Sequence, residues 1–133
     1  MKKWKKGLLM LALVFGICLI AFGISMSKAQ ENLDGLAEMS IDEIDLATLS
    51  DGIYKGDYAV FPVSVEVDVT ISNHEIIAID LIKHYNGQGK PAEVITQDVI
   101  AAQTLNVDVI SGATYSSKII LKAIEVALTS DGK

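Results

Sequence analysis

Cysteine is nearly absent from this 133-residue chain: Cys18 stands alone, which excludes an intramolecular disulfide and any cysteine-based metal site. The two histidines, His74 and His84, lie ten residues apart with no H-x-x-x-H pairing, so a zinc centre is not expected. Neither histidine has a recognisable serine and aspartate partner, and no G-x-G-x-x-G fingerprint occurs. Gly87-Gln88-Gly89-Lys90 lacks the spacing of a phosphate loop, and Pro91 follows the lysine, which excludes a nucleoside triphosphate site of that kind. Bases are also scarce beyond the N-terminus. Residues 28–133 carry seven lysines against 17 acids, a net charge of −10. Such a surface repels phosphates, so no nucleic acid partner is expected.

What is present begins with a long apolar run. Between Lys6 and Lys28 lie 21 residues without a charge. As a helix they span roughly 30 Å, the thickness of a bilayer's hydrocarbon core. Lys2, Lys3, Lys5 and Lys6 precede the run with Trp4 among them. The positive-inside rule places that end in the cytoplasm and everything after the span outside. Two readings of residues 1–28 stand, a retained anchor and a signal segment ending near Ser27-Lys28-Ala29. The run exceeds the usual 7–15 residues of a signal h-region, which favours a single-pass anchor in the cell membrane. Cys18 falls within it as a lipid-facing residue. On either reading the folded part is extracytoplasmic.

Residues 29–50 read as an acidic linker, rich in Asp and Glu, with Leu36, Met39, Ile41, Ile44, Leu46 and Leu49 interspersed. The spacing predicts a short helix over Ser40–Leu49, with Ser40 and Glu43 as a capping box. A flexible spacer of this length reaches roughly 25 Å. A folded domain then occupies 51–133. Gly52 and Gly56 bracket a short strand; Val63, Val65, Val67, Val69 and Ile71 alternate with polar residues, the period of a half-buried strand. Ser72-Asn73-His74-Glu75 is a turn, and Ile76–Lys83 a returning strand. Glu66 and Asp68 fall on the wet face. After the glycine-bearing loop at 84–90, Pro91 opens a helix of about three turns ending near Gln103, with Ala92, Ile95, Val99 and Ala102 on one side. A last helix follows, Ile120, Ala123, Ile124, Ala127 and Leu128 inward and Lys118, Lys122 and Glu125 outward, with Gly132 at its end. The fold class is α+β: a small antiparallel sheet with two packed helices, preceded by one N-terminal transmembrane helix. About 80 residues suffice for one modest core without a deep enclosed pocket. A binding or carrier role fits that size better than a self-contained enzyme.

The stretch Asp108-Val109-Ile110-Ser111-Gly112-Ala113-Thr114-Tyr115-Ser116-Ser117 differs from the rest. A strand or extended piece runs into small and hydroxylated residues, and a helical pattern starts at about Ser116 or Ser117. Gly112 permits backbone angles closed to other residues, and Ala113 keeps bulk away. Thr114 then presents its hydroxyl from an uncrowded bend beside amide N–H groups that favour anions. On the residues alone a second reading remains, in which Ser111, Thr114, Ser116 and Ser117 simply compete to cap the helix.

Asp51-Gly-x-Tyr-x-Gly56, the alternating valine strand, His84 with its glycine loop, and Val107-Asp-x-x-Ser-Gly-Ala-Thr-Tyr-Ser-Ser117 together resemble the FMN-binding domain family. That family includes flavoprotein subunits of sodium-pumping NADH:quinone oxidoreductases and of Rnf-type electron-transport complexes. The resemblance runs in order through nearly all of residues 51–130. It implies FMN held by a phosphoester to Thr114, with Asp108, Ser111, Gly112 and Ala113 as the recognised surround. Ser116 stands where family members often carry threonine, so a hydroxyl is kept. Ser116 and Ser117 are expected to offer donors to the phosphate. Tyr115, Tyr85 and Tyr54 are candidates for a flavin bed, and His84 either contacts the cofactor or is an ordinary surface residue. The implied partners are an exported flavin transferase using FAD and magnesium, the membrane, and redox proteins or a quinone-linked chain. A flavin-free binding module and the flavin-bearing subunit of a reductase are the alternative roles.

Overall fold

The computed structural model describes residues 2–85 and 89–129. Two compact units make up the chain, Met1–Asn32 and Leu33–Lys133. Helix α1 spans Lys2–Ala37. Its N-terminal portion belongs to the first unit, where Leu8, Leu11, Phe15, Ile20 and Phe22 are all more than half exposed. It is long and apolar enough to cross a membrane, compatible with a single-pass anchor. Its apolar residues lie on every side of the helix, as a lipid-facing surface requires.

The second unit is an antiparallel sheet in the order β1-β2-β3, formed by Gly52–Val60, Val63–Ser72 and Glu75–Tyr85. In central β2 the expected alternation holds: Val65, Val67, Val69 and Ile71 are at most 1% exposed. The β2–β3 turn gives both Asn73 and His74 positive φ angles, 50° and 63°, the twist that matches a tight hairpin. Two register shifts interrupt the β2–β3 pairing, between Glu66 and Val67 and between Thr70 and Ile71. Each leaves one extra residue on β3, and those residues, Ile82 and Ile77, stay exposed while Ile76 and Ile79 are buried. The bulges reset the inward face. On the wet face Glu66 and Asp68 pair with Lys83 and Lys55 at 3.1 and 3.0 Å. The Glu66 hydrogen bond and charge hold the Lys83 ammonium pKa above its ordinary value.

Helix α2, Ile95–Ala102, packs on β3, and helix α3, Thr114–Thr129, packs on β1 and β2. The expected three-turn helix from Pro91 is in fact a 3₁₀ turn over Lys90–Val94 followed by α2. Gln103 ends it in the left-handed conformation, φ 54°. Its side-chain amide takes the Ile76 N–H and donates to the Ile76 carbonyl, both at 2.8 Å. A glutamine thus covers part of the open β3 edge, which would otherwise leave strand groups unpaired.

The acidic stretch before the sheet departs from expectation. Helix α1 takes in its first residues through Ala37, and between there and β1 only Leu46–Thr48 is helical, as one 3₁₀ turn capped by Asp45; no capping box forms at Ser40 and Glu43. Leu36 is buried, and Met39, Ile41, Ile44, Leu46 and Leu49 pack against the core. The reason lies in α3, whose ten buried residues among 16 occupy more than a sheet-facing stripe. The strap from Ala37 to Leu49 covers its other side. Lys118 donates to the Ala37 and Met39 carbonyls at 2.6 and 3.2 Å. Glu125, expected outside, is 6% exposed. It accepts the Asp42 N–H at 3.1 Å and pairs with Lys122 at 2.7 Å.

Candidate functional site

The polypeptide between α2 and α3 is irregular over Asn106–Ile110, so the extended approach to the turn is not a strand of the sheet. It ends in a four-residue turn, Ile110-Ser111-Gly112-Ala113, closed by the Ala113 N–H on the Ile110 carbonyl at 2.9 Å. Gly112 occupies the third position with φ +79°, which a side chain would resist. Helix α3 starts directly afterwards at Thr114, two or three residues earlier than the hydroxyl pattern predicts. Its first hydrogen bond runs from the Ser117 N–H to the Ala113 carbonyl at 3.0 Å.

That start leaves Ala113 in the cap position, where it has no side-chain oxygen to offer the first N–H groups. Among the described residues no side chain accepts from the N–H of Thr114, Tyr115 or Ser116. Three donors and the positive end of a four-turn helix therefore converge beside the Thr114 side chain, a setting that favours an anion. The four candidate hydroxyls are not equivalent. Ser111 is exposed and Thr114 half-buried, whereas Ser116 is buried and Ser117 fully so. The Ser117 hydroxyl is already engaged, accepting from the Ile110 N–H at 3.0 Å and donating to the Ala113 carbonyl at 2.8 Å. It therefore has no proton left for a phosphate, which corrects that expectation.

Gly112 is exposed and Ala113 buried, so the turn displays its glycine outward. Asp108 is exposed and lines a shallow hollow of about 620 Å³ with Asp98, Ala101, Ala102, Asn106 and Val107. Thr114 is not in that lining. His84 is neither in a loop nor on the surface. It belongs to β3, paired in register with Val65, and its side chain is 3% exposed with Nδ1 2.9 Å from Glu93 Oε1. The inward face of a strand that runs to Tyr85 accounts for its burial. Of the tyrosines, Tyr54 donates to the Ser50 carbonyl at 2.8 Å and Tyr115 packs against the core. Tyr85 is 64% exposed, with the Lys83 ammonium 5.8 Å from its ring centre. Asn86, Gly87 and Gln88 of the glycine-bearing loop, and the stop at Gly132, lie outside the described residues.

Sequence reasoning missed two groups. Lys118 stands one helical turn beyond Thr114 on the same side of α3 and holds the strap. Glu93 is the carboxylate that meets His84. Neither carries a local signal, since each partner is distant in sequence or set by the strand register.

Two comparisons bear on this geometry. The chain shares 44% identity over 69 residues with NADH:acrylate oxidoreductase of Vibrio harveyi, a match covering 50% of this chain and 7% of that protein. The chain thus spans a small fraction of that relative's length. The model of the FMN-binding domain matches residues 62–129, a range that runs from the start of β2 to the end of α3 and includes the whole Ile110–Ala113 turn. On that match, which takes in more than half of the sequence, the chain belongs to the FMN-binding domain family.

Proposed function

We propose that this protein is a membrane-anchored, extracytoplasmic electron carrier holding FMN covalently through a phosphoester to Thr114. The observation that carries the reading is the uncapped start of α3, where Thr114 follows a glycine turn and the neighbouring hydroxyls of Ser116 and Ser117 are buried. The residues present fit the group: the N–H donors of Thr114, Tyr115 and Ser116 suit a phosphate diester, and exposed Ser111 and Gly112 leave an approach for another enzyme. In the attachment step the Thr114 hydroxyl oxygen forms a bond to the flavin-side phosphorus of FAD. The pyrophosphate bond breaks, AMP leaves, and the hydroxyl proton passes to the transferase. When bound, the flavin supplies the redox chemistry, while the chain holds and orients it.

The membrane helix and the positive-inside pattern support an outward-facing domain, served by an exported transferase and exchanging electrons with redox proteins or a quinone-linked chain. Covalent attachment keeps a cofactor that dilution outside the cell would remove. The test is the intact mass of the full chain after incubation with a flavin transferase, FAD and magnesium. Wild-type protein gains one FMN less one water, and Thr114→Ala gains nothing. An unmodified wild-type chain refutes the reading.

A second reading, a flavin-bearing subunit of a larger reductase, is favoured by the similarity to part of a much longer oxidoreductase. Co-purification of a large catalytic chain with the flavinylated protein distinguishes it from a free-standing carrier.

A further inference from the structure

We propose that Ser117 is the positioning residue for attachment at Thr114, holding the acceptor turn in the shape the transferase binds. The proposal rests on the reading of Thr114 given above. Ser117 is fully buried, three residues past the acceptor, and faces away from solvent; it does not touch the reacting atoms.

Four hydrogen bonds form a closed set around it. The Ile110 N–H donates to Ser117 Oγ at 3.0 Å, and Ser117 Oγ donates to the Ala113 carbonyl at 2.8 Å. The Ala113 N–H returns to the Ile110 carbonyl at 2.9 Å, and the Ser117 N–H meets the Ala113 carbonyl at 3.0 Å. One hydroxyl thereby ties the residue entering the turn, the residue leaving it and the first turn of α3. Among the described residues it is the only side chain hydrogen-bonded to the backbone of Ile110–Ala113. With alanine at the cap position and glycine inside the turn, the other polar ties on this bend among the described residues are its own backbone hydrogen bonds. Gly112 by itself admits many conformations.

Removing the hydroxyl leaves the part-buried Ile110 N–H without its acceptor and frees one lone pair of the Ala113 carbonyl. The bound-ready turn then becomes a minor population, and apparent affinity falls in proportion to that fraction. The transferase's KM for the Ser117→Ala chain rises about tenfold while kcat is preserved, since the Thr114 hydroxyl itself is unchanged.

The experiment compares full-length wild-type and Ser117→Ala protein in detergent micelles. Intact mass against time at several domain concentrations gives KM and kcat, and amide hydrogen exchange is followed on the same samples. The expected result is the raised KM with faster exchange at Ile110 and Ala113 and unchanged protection at Val67 and Ile124. Equal KM values for the two proteins overturn the positioning role. Equal loss of protection at Val67 and Ile124 also overturns it, because Ser117 would then be a general core residue. A wild-type chain that accepts no FMN overturns the attachment itself, and this role with it.

Discussion

At the residue scale the Ile110–Ala113 turn depends on side chains that are missing as much as on those present. Gly112, with φ +79°, has open space around the position a Cβ would take, so its requirement is conformational and not steric crowding. Gly112→Ala is expected to lower stability by about 1–2 kcal/mol, read from the urea midpoint, because an L-residue pays for left-handed backbone wherever it stands. Ala113 offers no cap, and this is what leaves three amide donors for a ligand. Ala113→Ser should place a hydroxyl among those donors, steadying the helix by about 1 kcal/mol in urea unfolding. The same change slows FMN attachment in the mass assay, since the new oxygen competes for the N–H groups. Unchanged attachment with raised stability would mean that the amides do not serve the phosphate.

At the scale of elements, the seat of α3 is set by its contact with β1. A Cβ on Gly56 would meet the carbonyl of Ala123 and lie 2.6 Å from the Ala127 nitrogen and 2.7 Å from its Cβ. Backbone atoms cannot yield as a flexible side chain would. Gly56→Ala is therefore expected to push α3 off the sheet and cost about 3 kcal/mol in urea unfolding. The opposite flank of α3 is held by Glu125. Replacing it with alanine leaves the Asp42 N–H and the Lys122 ammonium without their partner. About 2 kcal/mol of destabilisation should follow, with the Asp42 amide exchanging faster than those of β2.

For the whole molecule, the consequence of the strap is that the folded unit begins at Leu33 and not at the first strand. A chain starting at Asp51 loses Leu36, Met39, Ile41, Ile44, Leu46 and Leu49 from the core cluster. At about 1 kcal/mol for each partly buried side chain, that loss approaches the 5–15 kcal/mol a domain of this kind has in all. A chain starting at Leu33 should unfold cooperatively in a thermal melt, and one starting at Asp51 should aggregate or melt without cooperativity. Equal melts would show that the strap only rests on the surface.

Much of this was legible in the residues themselves. The uncharged run before Lys28, the valine alternation of β2 and the glycine turn before Thr114 are local patterns, and period or backbone freedom translates each directly into an element. The motifs at 51–56, along β2, at His84 and at 107–117 together likewise carried the resemblance to the FMN-binding domain family. Other features had to await the assembled domain because they depend on which surfaces meet. The acidic strap looked like solvated linker until the second side of α3 required apolar cover. His84 looked like a loop residue until strand register turned it inward. The Ser117 hydroxyl looked like a ligand for phosphate until folding brought the Ile110 amide to it. Periodicity reports which way a side chain points along its own element; only tertiary packing decides what it finds there.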